Sequence, residues 1–181
     1  MHLAQLKESI AIPGGVTASV KDGVLSVKGP KGELSRLVGT KRVALTVADG
    51  ALTFLVKNAT RTDKRALRTG KAHAANMLKG ASEGYTYKLK ICSGHFPMNV
   101  AVKDGKLEVK NFIGEKVPRV TALKKGCDVK VQGHEIIVTS ADKEIAGNQA
   151  GAIELLTRRP GFDSRIFQDG IYIIEKDGKQ V

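Results

Sequence analysis

The sequence predicts an α+β protein built from two tandem, duplicated domains, each a set of antiparallel β-sheet hairpins packed with one α-helix. Three observations predict it. The stretch VKDGVLSVKGPKGE, Val20 to Glu33, returns 82 residues later as VKDGKLEVKNFIGE, Val102 to Glu115, with nine of fourteen aligned positions identical. Around both copies apolar and polar residues alternate, the period of a half-buried strand. After each set of strands the period lengthens to that of a helix. Strands first and one helix last, twice over, is the order of an α+β chain and not of a parallel α/β sheet. A repeat of this length marks a duplicated domain, since solenoid units run about 20–50 residues. The boundary is expected at residue 82, giving domains 1–82 and 83–181.

The elements follow in order. ESIAIP alternates and stops at Pro13-Gly14-Gly15, a short strand and turn. Val16, Ala18 and Val20 share one side, Asp22-Gly23 turns, and Leu25 and Val27 continue the pattern. Asp-Gly tolerates the positive φ angles of a tight hairpin turn. GPKGE reads as a loop. Arg42 to Val47 and Ala51 to Val56, split by Ala48-Asp49-Gly50, form a second hairpin. Leu67, Ala74 and Leu78 then share a helical face, with Arg65, Arg68 and Lys71 largely elsewhere around the helix. Thr62 or Asp63 is a plausible N-cap and Gly80 a plausible C-terminal cap.

The second half replays this order. Tyr85 to Ile91 make a strand, Met98 to Val109 a hairpin turning at Asp104-Gly105, and Asn111 to Pro118 the loop. Val129-Val131 and Ile136-Val138 flank Gly133-His134. A helix starts at Ser140 or Asp142, with Ile145, Gln149, Ala152 and Leu156 on one face. Asp63-Lys64 and Asp142-Lys143 mark equivalent helix starts. Beyond this helix, TRRPGFDSRIFQDGIYIIEK has no counterpart in the first copy. It gathers Arg158, Arg159 and Arg165 around Pro160-Gly161 and closes with a strand, Ile171 to Ile174.

The charge balance narrows the function. Thirty basic against 18 acidic residues give a net charge of +12. That excess suits a polyanionic partner, because each neutralised phosphate releases counterions. Residues 1–82 carry +9 and residues 83–181 carry +3. Two cysteines, Cys92 and Cys127, with no CxxC pair and no signal peptide, fit reduced core residues of a cytoplasmic protein. No apolar run reaches the roughly 18 residues of a membrane span, so no membrane partner is expected.

Catalytic and cofactor chemistry finds no constellation. There is no phosphate loop, dinucleotide fingerprint or EF-hand spacing, so no cofactor is expected. His2, His73, His95 and His134 stand far apart, with no ligand-pair spacing, and no metal site is expected. His134-Glu135 opens like a zincin helix motif, but position 138 is Val and the segment is strand-like. His95 beside Phe96-Pro97 has no nucleophile as partner.

The cations say more. Lys28, Lys31 and Arg36 in copy one, and Lys110, Lys116 and Arg119 in copy two, cluster around the loop after the repeated hairpin. Such charges also suit a solvated sheet edge that must not pair with another. Aromatics are only 4% and Trp is absent, which argues against a base-stacking sheet. Contact with RNA would then run through phosphates, 2′-hydroxyls and the shape of a folded RNA. A module acting on nucleic acid outside any larger particle is the alternative.

At the tail, NQAGAIELLTRRPGFDSRIFQDGIYIIEK, Asn148 to Lys176, resembles the C-terminal signature of the ribosomal protein L6 family in its archaeal and eukaryotic form. IAIPGGVTASVKDGVLSVKGPKGELSR is similar to that family's opening hairpin and KGPKG loop, and the resemblance runs in register through the duplication. The resemblance implies a structural, non-enzymatic component of the large ribosomal subunit in the cytoplasm. It implies a monomer within the ribosome, bound to large-subunit rRNA near the sarcin–ricin loop. Neighbouring ribosomal proteins at the stalk base would be partners, with translational GTPases close by.

Carried over by position, Asn111, Gly114, Lys116 and Pro118 in the loop should approach rRNA. So should Gln149 on the second helix, and Arg158, Arg159, Gly161, Arg165, Gly170 and Tyr172 in the tail. Lys57, Arg61, Arg65, Arg68 and Lys71 of the first domain are expected to make secondary RNA contacts. The tail departs from the bacterial branch, which is rich in lysine and glycine where this chain reads GFDSRIFQDG. On this reading the shared hairpin residues are scaffold. GPK and NFI differ because the second loop is turned toward rRNA.

Overall fold

A computed structural model of the chain describes residues 3–40, 42–48, 50–163 and 165–181. His2 and the turn residue Asp49 lie outside the described residues. The chain divides into two compact units, Met1–Gly84 and Tyr85–Val181. Each is α+β with antiparallel sheets, the class expected.

In the first unit β1 (Leu3–Ala11) pairs β6 (Ala51–Ala59), which pairs β5 (Ala44–Ala48). A second sheet runs β2 (Thr17–Lys21), β3 (Val24–Gly29), β4 (Gly32–Leu37). Helix α1 (Arg61–Ser82) packs on both sheets. Alternation dictates what meets it: Leu25 and Val27 from β3, and Leu52, Phe54 and Val56 from β6, are buried against Leu67, Ala74 and Leu78. Asp22 and Gly23 both have positive φ, the two-residue turn that the strand twist prefers.

Three boundaries differ from the sequence reading. GPKGE is not a loop: only Pro30-Lys31 turns, and Gly32 and Glu33 already open β4, with Gly29 opposite Gly32. The cause is a docking contact. The Lys31 amide donates to the Ala81 carbonyl at 3.0 Å, and a Cβ on Gly29 would sit 2.4 Å from that oxygen. Only glycine lets the turn approach the helix so closely. The N-cap of α1 is Thr60, not Thr62 or Asp63. The Thr60 hydroxyl accepts the Asp63 amide and the Asp63 carboxylate accepts the Thr60 amide at 2.9 Å, a capping box. Gly80 is a buried helical residue, and the left-handed position falls at Gly84.

The second unit repeats the plan and adds to it. Its larger sheet runs β11 (Cys127–Gln132), β12 (Glu135–Ser140), β7 (Tyr85–Cys92), β13 (Gly170–Lys176), β14 (Lys179–Gln180). The smaller runs β8 (Asn99–Lys103), β9 (Lys106–Lys110), β10 (Arg119–Ala122). Order β11-β12-β7 matches β5-β6-β1. The difference is β13, which lies antiparallel along the edge of β7 whose counterpart in β1 has no partner strand among the described residues. Glu175 and Lys88 close an ion pair across that ladder at 2.8 Å.

Helix α2 (Lys143–Leu156) is capped by Asp142, so Asp63 and Asp142 hold different cap positions and are not equivalent helix starts. Its buried face is Ala146, Gln149, Ala150 and Ile153; Ile145, Ala152 and Leu156 flank it. The spacing was right and the centre was one residue off. No described helix is long and apolar enough to cross a membrane.

Candidate nucleic-acid interface

Three segments of the second unit meet at one end of its sheets: residues 93–98 after β7, residues 111–118 after β9, and residues 157–163 and 165–169 between α2 and β13. Each is held by particular bonds.

The NFI loop holds itself through backbone conformation and one arginine. Asn111 and Ile113 adopt left-handed φ values of 59° and 48° inside a single 3-10 turn, Phe112–Gly114. This turns Phe112 fully inward. The Arg119 guanidinium lies 4.4 Å over the Phe112 ring. It also donates to both Glu115 oxygens, at 2.8 and 2.6 Å, and to the Leu156 carbonyl at 2.8 Å. Arg119 therefore caps the carbonyl end of α2 and ties the loop to it, as the Lys31 amide does for α1. Its cationic head is committed inside the fold. The Arg119 hydrogen bonds hold the Glu115 carboxyl below the usual range.

The tail is held at both ends. Thr157 Oγ1 accepts the Ile171 amide at 2.9 Å, closing the segment into a loop between helix and strand. Asp169, nearly fully buried, accepts the Gly94 and His95 amides on Oδ1 at 2.7 and 3.1 Å. Its Oδ2 meets His95 Nδ1. Burial pushes the Asp169 carboxyl up, but these bonds outweigh it and hold the group below its ordinary value. A cleft of about 620 Å³ lies alongside, lined by Arg158, Arg159, Phe162, Phe167 and Tyr172 among others.

The residues expected to approach RNA fall into two groups. Asn111, Gly114, Lys116, Pro118, Arg158, Arg159, Gly161 and Arg165 are exposed on these segments. Asn111 donates its side-chain amide to the Pro97 carbonyl at 3.1 Å, joining two of the loops. Arg165 forms a forked pair with Asp163 at 2.8–3.2 Å.

The others are inside. Gln149 is fully buried, its Oε1 accepting the Lys124 amide at 3.0 Å, so it supports the 123–126 corner and offers no RNA contact. Its Nε2 has no partner among the described residues. Gly170 is buried, and a Cβ there would meet the Tyr172 ring at 3.2 Å, so it makes room for that ring rather than for RNA backbone. Tyr172 is half-buried on the cleft wall, and burial raises its phenol.

In the first unit Arg61, Lys64, Arg65 and Arg68 line a shallow groove of about 430 Å³ along α1. Lys57 is exposed on β6. Lys71 differs: its Nζ donates to Glu8 at 2.8 Å, with Arg68 3.6 Å from the same carboxylate. The Lys71 hydrogen bond lowers the Glu8 carboxyl below its usual value.

The aromatic component went unseen in the sequence. Phe162 meets Phe167 edge to face at 5.0 Å, Phe167 lies 5.3 Å from the His95 ring, and Arg159 sits 4.2 Å over Phe162. Phe96 packs beside Gly114. His95 is thus an anchor for the tail. The local sign in the sequence is the pair Phe162 and Phe167; His95 and Phe96 join them only in the fold. Cys92 and Cys127 are free thiols, and among the described residues no group of three or more His, Cys, Asp or Glu could hold a metal.

Comparison with known proteins completes the description. Residues 12–84 match the family model described as Ribosomal protein L6. Over 180 residues the chain is 41% identical to the large ribosomal subunit protein uL6 of Methanococcus vannielii, covering 97% of both chains. The protein of the same name from Methanosarcina mazei is 38% identical over 172 residues, covering 95% of this chain and 98% of its own. That of Methanospirillum hungatei is 38% identical over 167 residues, 92% and 95%.

Proposed function

Because the chain belongs to the ribosomal protein L6 family, we propose that it is a structural component of the large ribosomal subunit, anchored on large-subunit rRNA by the tail end of its second unit. The observation that carries this reading is near-full-length similarity to large-subunit proteins, which spans the tail and the loop beside it. The geometry supports a scaffold. Loops 93–98 and 111–118 and the tail are cross-tied before any partner arrives, so little ordering entropy opposes binding.

Arg158 and Lys116 supply charge for phosphate oxygens, with Asn111 and Tyr172 adding polar groups. The α1 groove of Arg61, Lys64, Arg65 and Arg68 makes secondary contacts with RNA. The family resemblance further supports a seat near the sarcin–ricin loop and the stalk base, beside the sites where translational GTPases act. The role is placement of RNA, with no catalytic step.

Sucrose-gradient sedimentation of native lysate, washed at high salt, tests this. The protein should travel with the large subunit. Its absence from that fraction, with binding to free RNA retained, would replace the reading with an extra-ribosomal one.

A further inference from the structure

We propose that Arg159 and Phe162 form a stacking platform for one unpaired base of the bound RNA. The inference rests on the RNA-anchoring reading above and specifies what the tail recognises.

The phenylalanines divide sharply. Phe54 and Phe112 are 0% and 1% exposed in the two cores, whereas Phe96, Phe162 and Phe167 are 45%, 40% and 37% exposed. All three exposed rings belong to the end of the second unit where its two loops and tail meet. Exposed aromatic rings gathered at one end of the unit, beside Arg158 and Arg159, form the kind of patch that marks a contact.

The geometry favours a flat π-system as occupant. The Arg159 guanidinium carbon lies 4.2 Å over the centre of the Phe162 ring, and Arg159 is exposed, so the side of the guanidinium away from the ring is left to solvent. A planar, weakly hydrated guanidinium stacks on aromatics by one face and on a base by the other. Phe162 is braced edge-on by Phe167, and Phe167 by His95, which the buried Asp169 holds. The platform is therefore built before binding. The adjoining cleft, about 620 Å³, is of the size that accepts a small planar ligand.

An RNA duplex offers grooves and phosphates but no base face, so the occupant must be an unstacked nucleotide in a loop, bulge or junction. Charge favours RNA over an apolar protein partner. Of the nearby carboxylates, Glu115, Asp163 and Asp169 are already taken by Arg119, Arg165 and His95, and Glu154 on the cleft wall is outnumbered by Arg158 and Arg159. Arg158 and Arg159 flank the rings.

The test uses the full chain and transcribed large-subunit rRNA, with the dissociation constant measured across a potassium chloride series. Arg159→Lys keeps the charge, and Phe162→Leu keeps apolar bulk. Each should weaken binding about 5- to 100-fold, the span measured for loss of one stacked base. The slope of log affinity against log salt should not change, because no phosphate contact is lost. Phe162→Tyr should restore most of the affinity, which a merely structural ring would not require.

Wild-type affinity in Arg159→Lys and Phe162→Leu would overturn the platform while leaving RNA anchoring intact. Unchanged RNA affinity with failed incorporation into subunits would assign the patch to a protein neighbour and overturn it as well. No binding of the wild-type chain to the rRNA would overturn the anchoring reading itself.

Discussion

His95 and Asp169, 74 residues apart in sequence, are joined twice: the His95 amide donates to Oδ1 at 3.1 Å, and the ring Nδ1 meets Oδ2. This one carboxylate holds the corner after β7 against the tail before β13.

Asp169 makes the tail acid-sensitive. Its folded value is depressed, so its stabilising contribution is complete above the unfolded carboxylate value, about 3.9. That contribution is lost as the pH falls through the lower folded value. Relative to the intrinsic rate, which itself falls with pH, amide exchange at Gly94 and His95 should become faster on acidification below about pH 4. Asp169→Asn should show that faster exchange at neutral pH, losing about 1–2 kcal/mol of local stability.

Arg119 is a stability residue rather than an RNA residue. Arg119→Ala removes the forked bonds to Glu115 and the Leu156 contact, and should cost the second unit about 2–3 kcal/mol in chemical denaturation. Arg119→Lys should recover little, because an ammonium cannot serve both partners in that plane. The salt slope of RNA binding should stay at its wild-type value.

The two basic regions should rank differently. Alanine at Arg158, Arg159 and Arg165 should reduce incorporation into the large subunit more than alanine at Arg61, Arg65 and Arg68. Quantitative sedimentation of tagged variants reads the ranking directly; the opposite order would move the anchor to the first unit.

Glu8 restrains part of the first unit's charge. Glu8→Gln should release Lys71 from its 2.8 Å bond and free Arg68 beside it. The slope of log affinity against log salt should steepen by about 0.7–0.9 per phosphate gained. An unchanged slope would show that neither side chain reaches RNA.

Gly29 sets the approach of the first unit's turn to α1. Gly29→Ala drives a methyl into the Ala81 carbonyl, 2.4 Å away, and should cost on the order of 2–3 kcal/mol by thermal unfolding. The matching site in the second copy, Asn111, already carries a side chain, so Asn111→Ala should cost far less.

Most of the scaffold was readable because its determinants are local. Alternation at Leu25 and Val27, the Asp-Gly turns and the helical spacing of Leu67, Ala74 and Leu78 each act over a few residues. The errors came where a distant contact decides. Whether Gly32 opens a strand depends on Ala81. Whether Arg119 faces solvent depends on a carbonyl 37 residues away. The aromatic platform escaped notice because a 4% content averaged over the chain conceals a group gathered by folding. Gln149 differs: its RNA role comes from the family resemblance alone, while its spacing with Ile145, Ala152 and Leu156 already places it on the covered side of the helix.

The pairing of β13 with β7 also sets a schedule. The first unit has every strand and its helix in hand once Gly84 has been synthesised. The second cannot complete its sheet until Gly170–Lys176 emerges, almost eighty residues after β7 begins to await it. Through that interval one long edge of β7 stands open, the most aggregation-prone moment of its birth. The first unit is ready early, and the tail that finishes the second unit also carries Arg158, Arg159 and Phe162, so the segment proposed as the RNA anchor is displayed only when the sheet beside it closes.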